Sequence, residues 1–179
     1  MEIRKTRVED IDVIMDIYAQ ARLFMQETGN KTQWVNGYPL RETILNDISE
    51  GYSYVCVEDD GRIVASFYFR IGDDITYAKI YDGEWPNDDS YGVIHRLGST
   101  KASKGVSKAC FDWCFGQHPN IRVDTHRDNI VMQTILKKYG FQPCGIIYLE
   151  NGSERIAFHK CNYESKVFVS INCSSCLTP

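Results

Sequence analysis

The spacing of apolar residues changes period along this chain, and that change constrains the fold more than any other feature. Ile11, Ile14, Met15, Tyr18, Ala21 and Met25 recur at three- and four-residue steps, which places them on one face of a helix. From residue 52 the step shortens to two. Residues 52–58 and 62–71 read as strands joined by Asp59-Asp60-Gly61, a hairpin signal. Helical spacing returns at Val106, Ala109, Cys110, Trp113 and Cys114. It appears again at Met132, Ile135, Leu136 and Tyr139, with Asp128 as the expected N-cap and Gly140 as the stop.

The remaining segments complete the order. Residues 3–6 suggest a short first strand, and Leu40, Ile44, Leu45 and Ile48 a second helix after a loop over residues 30–39. Residues 91–98 read as a strand with Val93, His95 and Leu97 on one face, and residues 121–125 as another. Residues 142–149 and 154–160 form a final hairpin around Asn151-Gly152. The acidic, turn-rich stretch 72–90 holds a possible further strand at 75–81. The result is β-α-α-β-β-β-α-β-α-β-β, an α/β layer structure. The expected division is one domain over residues 1–160 and an extension over 161–179, which carries Val167-Phe168-Val169 and Cys173-Ser174-Ser175-Cys176.

Composition narrows the partners. At 179 residues and 43% apolar content the chain can bury a full core without staples. Its formal charge of −4 argues against a nucleic-acid binder, which needs a basic face. No apolar run is long enough for a membrane span, and Met1-Glu2-Ile3-Arg4-Lys5-Thr6 does not open a secretory signal. Seven cysteines, an odd count, then read as reduced thiols, which points to the cytoplasm. The Cys173/Cys176 pair has no second pair in the tail, so no metal site is expected.

Chemistry concentrates after the strand at 91–98. Between Ser99 and Phe111 stand Lys101, Lys104 and Lys108 and no acid, in a chain that is acidic overall. Residues 101–107 sit where a strand hands over to a helix. The first amides of a helix have no internal partner and carry the positive end of its dipole. Small residues there admit an anion such as a pyrophosphate. The alternative is an ordinary helix start with a solvated lysine face.

This strand, loop and helix, followed by Asp124-Thr125-His126-Arg127-Asp128-Asn129, Met132-Gln133 and Leu136-Lys137-Lys138-Tyr139-Gly140-Phe141, resembles the core of a GNAT N-acetyltransferase over residues 2–160. The resemblance implies a mixed, mostly antiparallel sheet flanked by helices, and acetyl-CoA as co-substrate. Family loops read Gln/Arg-x-x-Gly-x-Gly/Ala. Here Ala102-x-x-Gly105-x-Ser107 keeps only the central glycine. By the resemblance, the amides from Ala102 through Gly105 and Val106 to Ser107 take the pyrophosphate. Lys101, Lys104 or Lys108 meets the 3′-phosphate. Backbone near Leu97 and Ser99 bonds the pantetheine, which adds to the sheet like an extra strand. Asn129 either touches the cofactor arm or is a second helix cap.

Acyl transfer needs a neutral amine, a donor for the oxyanion and a proton for the thiolate. Relatives use a tyrosine acid where this chain has Leu136, which leaves Tyr139, one helical step along, or water. His95 is the candidate base, since an imidazole pKa of about 6.5 suits proton removal. A buried structural histidine fits equally well. Glu84, with Asp82 and Asp88, could draw a cationic amine, and His126 has a weaker claim. Trp34, Tyr38 and Trp85 are expected to wall the acceptor pocket. The expected activity is transfer of an acetyl group to a primary amine of a small molecule or peptide by direct attack. The other reading is a degenerate acyl-CoA sensor, suggested by Leu136, Ala102 and Ser107. Homodimerisation through terminal strands is a further expectation from relatives.

Overall fold

The computed structural model describes residues 1–162. In chain order the elements are β1 (Glu2–Lys5), α1 (Ile11–Glu27), α2 (Arg41–Ser49), β2 (Ser53–Val57), β3 (Ile63–Ile71), β4 (Gly92–Ser99), α3 (Val106–Gln117), β5 (Asn120–Thr125), α4 (Ile130–Tyr139), β6 (Gln142–Tyr148) and β7 (Glu154–Cys161). This is the order that the apolar spacing predicts. Residues 167–169 and the Cys173/Cys176 pair lie outside the described residues.

The seven strands form one open sheet in the order β1-β2-β3-β4-β5-β7-β6. Hairpins and short returns make every pair antiparallel except β4 with β5. Those two are joined through α3, and a helical crossover returns the chain to the end of the sheet it left, so they run parallel. Helices α1 and α2 cover one face, where Ile14, Tyr18 and Ile44 pack on Val55. Helices α3 and α4 cover the other, where Cys110, Cys114 and Leu136 meet Phe67, Ile121 and Val123. A third cluster of Tyr77, Tyr91, Val93, Ile147 and Ala157 lies under the 72–90 stretch. Among the described residues no helix is long and apolar enough to cross a membrane.

One irregularity reshapes the centre of the sheet. Ser66 pairs with Gly98 and Tyr68 with His95, so three steps on β4 answer two on β3. The extra residue is a bulge at Arg96, whose φ is +53°. A bulge shifts the side-chain alternation by one. Val93 and Leu97, expected on one face, therefore separate: Val93 joins the third cluster and Leu97 packs with the α3/α4 core. At Gly98 a Cβ would stand 2.9 Å from the Tyr18 ring, so glycine lets α1 lie close across β4. The Tyr18 hydroxyl then donates to the Arg96 carbonyl at 2.9 Å and fixes the bulge.

Two local expectations are corrected. Residues 75–81 are not a strand: Ile75–Tyr77 is a single 3-10 turn, and only Tyr81 bridges, to Ile146. Asp74 accepts from the Thr76 amide and hydroxyl, which starts the turn, and the turn buries the Tyr77 ring in the core. The N-cap of α4 is Asn129 rather than Asp128, with its Oδ1 accepting from the Met132 amide at 3.0 Å. The Asp128 amide instead donates to Nδ1 of His126.

Candidate active site

β4 and β5 pair only at Gly92, Val93 and Ile94, opposite Ile121, Arg122 and Val123. Beyond that point each strand follows its outer neighbour. His95 remains paired with Tyr68 on β3, and Thr125 with Ile156 on β7. The bulge adds local twist and turns β4 away, so the sheet parts in a wedge. The wedge opens into a cleft of about 730 Å³ lined by His95, Arg96 and Leu97 on one side and Asp124, Thr125 and Asn129 on the other.

On the α3/α4 face the cleft is lined by Leu97, Phe111, Val123 and Met132; residues 98–107, which lead into α3, are not part of that lining. Gly105 holds φ +75°, a left-handed backbone that suits glycine, and no side chain caps the helix behind it. The first amides of a helix have no partner within it, and here no side chain supplies one. The Val106 side chain is buried in the core, so only its backbone faces the loop. Lys101 is paired with Glu27 and Lys108 with Asp112, while Lys104 is exposed and has no ion-pair partner among the described residues. Ala102 is exposed, Ser107 is half-buried, and Ser103 donates to Glu58 at 2.8 Å, so one carboxylate borders the loop. Leu97 and Ser99 lie on the β4 segment that has left β5. Asn129 is the helix cap, and it also lines the cleft.

The other face carries charge. His95 Nε2 lies 2.9 Å from Asp74 Oδ2, and its Nδ1 lies 3.4 Å from Asp124 Oδ2. Tyr77 donates to the same Asp124 oxygen at 2.9 Å. Burial alone lowers the imidazole pKa, but the bonds to Asp124 and Asp74 outweigh it and the net direction is upward. For Asp74 burial pushes the other way, yet hydrogen bonds from His95 and Thr76 hold its carboxyl well below the usual range. A carboxylate near each nitrogen favours the protonated ring. Among the described residues no three such side chains form a metal cluster.

The loop between α1 and α2 supplies the outer wall. Trp34 meets Tyr18 edge-on at 5.5 Å, and the Tyr38 hydroxyl accepts from Arg96 at 3.3 Å; both residues line the cleft. Arg96 lies 4.7 Å above the Tyr68 ring, with Nε and Nη2 on the two oxygens of Asp47 at 3.0 and 2.7 Å. Gln33 ties this loop to α4: its Oε1 accepts from Asn129 at 2.8 Å and from Asn30 at 2.7 Å.

Three expected site residues stand elsewhere. Glu84 is exposed on a turn held by its amide to the Cys144 carbonyl. Trp85 donates to the Tyr77 carbonyl and lies under the Arg122 guanidinium, a packing role outside the cleft lining. Tyr139 packs against Phe111 and gives its hydroxyl to Asp112 at 2.6 Å, and it is not among the residues that line the cleft. His126 holds the β5–α4 junction. The sequence reading missed Asp47, Asp74, Arg96, Asp124, Thr125 and Gln33. Asp124 and Thr125 were accessible to it, since they end a strand just before a helix cap. Arg96 carried no local signal, because a bulge depends on the partner strand.

The sheet is thus split at its one parallel pair, and the helix that joins that pair starts without a side-chain cap. A solved GNAT-family acetyltransferase from Streptococcus agalactiae is 32% identical, with a TM-score of 0.82 over 91% of this chain and 96% of that one. A GNAT-family acetyltransferase from Listeria monocytogenes, 20% identical, shares the fold with a TM-score of 0.66 over 90% of this chain and 94% of its own. Ard1 from Thermoplasma volcanium, 18% identical, does so at 0.61 over 91% and 98%. No family model and no curated sequence matches the chain. The chain belongs to the GNAT family of acetyltransferases. Acetyl transfer is its chemistry.

Proposed function

We propose that the protein transfers the acetyl group of acetyl-CoA to a primary amine by direct attack across the wedge. The observation that carries this reading is the parting of β4 from β5 beside the His95 cluster, in a chain whose α3 start has no side-chain cap. Acetyl-CoA supplies an acyl group already activated as a thioester. The α3 amides and Lys104 hold its anionic end, and the free edge of β4 at Leu97 and Ser99 hydrogen-bonds the arm. The acceptor enters from the opposite face, between Trp34, Tyr38 and the acids. The amine must lose a proton for the new C–N bond to form. Neutral His95 takes that proton, and Asp74 and Asp124 stabilise the resulting imidazolium. The departing sulfur keeps the electron pair of the broken C–S bond.

The binding-only reading draws on Leu136, which is fully buried in the α4 core and offers no acid. One experiment separates the two. Acetyl-CoA with a broad panel of primary amines, assayed from pH 6 to 9, is expected to release free thiol. Tight CoA binding by calorimetry without release for any amine would leave the sensor reading in place. Gly105→Ala is expected to weaken CoA binding in either case, since a Cβ there meets no atom within 4 Å and disturbs mainly the left-handed turn.

A further inference from the structure

Thr125 ends β5 with its backbone still paired to Ile156. By strand alternation its side chain shares the α3/α4 face with Ile121 and Val123, while Asp124 turns to His95. The residue is 1% exposed and lines the cleft, and its hydroxyl has no hydrogen-bond partner among the described residues. An unbonded buried hydroxyl is a net cost to folding. The other polar group on this side, Asn129, is already engaged: Oδ1 by the Met132 amide and Nδ2 by Gln33. Ile94, Leu97, Phe111, Val123 and Met132 make the rest of this wall apolar. Thr125 is therefore a buried, unbonded polar side chain on this wall, two residues past the last β4–β5 pair at Val123.

We propose that the Thr125 hydroxyl is a binding contact for the acyl end of the donor, hydrogen-bonding the thioester carbonyl oxygen. This rests on acetyl-CoA being the donor. The oxygen gains negative charge as the amine nitrogen bonds to the acyl carbon, so the contact strengthens at that moment. Threonine gives up no proton. The proton of the amine leaves on the opposite face through His95, and the electron pair of the breaking C–S bond stays on sulfur.

The test is calorimetry on the wild type, Thr125→Val and Thr125→Ser with two probes. One is acetyl-CoA; the other is 3′-phosphoadenosine 5′-diphosphate, which has the phosphates but no arm or acyl group. Thr125→Val deletes a group that bonds nothing in the protein, so its melting temperature should equal or exceed that of the wild type. Its acetyl-CoA affinity should fall roughly three- to tenfold, the weight of one hydrogen bond. Thr125→Ser should bind close to wild type, and the nucleotide should bind all three equally. Unchanged acetyl-CoA affinity in Thr125→Val would overturn the assignment. So would a lowered melting temperature, a parallel loss for the nucleotide, or a serine variant as weak as the valine. A wild type that binds neither probe would instead sink the donor reading itself.

Discussion

His95 on β4 and Asp124 on β5 face each other across the point where their strands stop pairing, Nδ1 to Oδ2 at 3.4 Å. Asp74 occupies the second ring nitrogen at 2.9 Å, so the imidazole is held between two negative charges. The pair thus joins the two halves of the split sheet at the place where chemistry is proposed.

The first prediction concerns pH. His95 has a raised pKa, so its proton-accepting form is populated only above the ordinary histidine value of about 6.5. Activity should rise with pH through a midpoint above that value. Asp124→Asn removes a charge that favours the imidazolium, so the midpoint should move toward acid by about one unit. The kcat/KM profile for thiol release reads it, and an unmoved midpoint would remove His95 as the base. The stability contribution has the opposite sense. It is complete below about pH 6.5 and is lost as pH rises through the raised pKa.

A second prediction follows from the bulge. Asp47 and Arg96 are both largely buried, at 7% and 15% side-chain exposure, and their bidentate pair holds the bulge against α2. Asp47→Ala strands the guanidinium without a counter-charge and should cost about 3 kcal/mol. Urea unfolding should show a lower midpoint with an unchanged slope. A loss below about 1 kcal/mol would mean that water replaces Asp47 freely.

A third concerns the link between the acceptor loop and α4. Asn129→Ala deletes the helix cap and should cost about 1 kcal/mol. Gln33→Ala should cost less alone, but it frees the loop that carries Trp34 and Tyr38 and so should raise KM for the amine. A double-mutant cycle should return a coupling of about 0.5–1 kcal/mol for the 2.8 Å bond. Strict additivity would show that the bond contributes nothing in solution.

Much of the architecture was legible because it is local. Helical and alternating periods mark which residues must be buried together, and all eleven main helices and strands stand in the expected order. The start of α3 was legible for the same reason, since Gly105 and the small residues around it set a backbone conformation on their own. The error at 75–81 arose where apolar residues serve a turn: Tyr77 is buried by tertiary packing, and Asp74 is held by its bond to His95. Glu84, Trp85 and Tyr139 had suitable chemistry but face other partners, and nothing in their neighbours along the chain tells which side they turn to.

Sequence by itself determined the helix and strand pattern, the glycine-led start of α3 and the placement of His95 and Asn129 on elements beside the cleft. Tertiary structure decided where the parallel pair ends, that Arg96 is an extra residue on β4, and that two aspartates distant from His95 along the chain converge on its ring. Periodicity is a property of one strand or helix. A bulge, a split and a buried charge ladder are properties of two strands at once, set by register, twist and the need of each desolvated charge for a counter-charge.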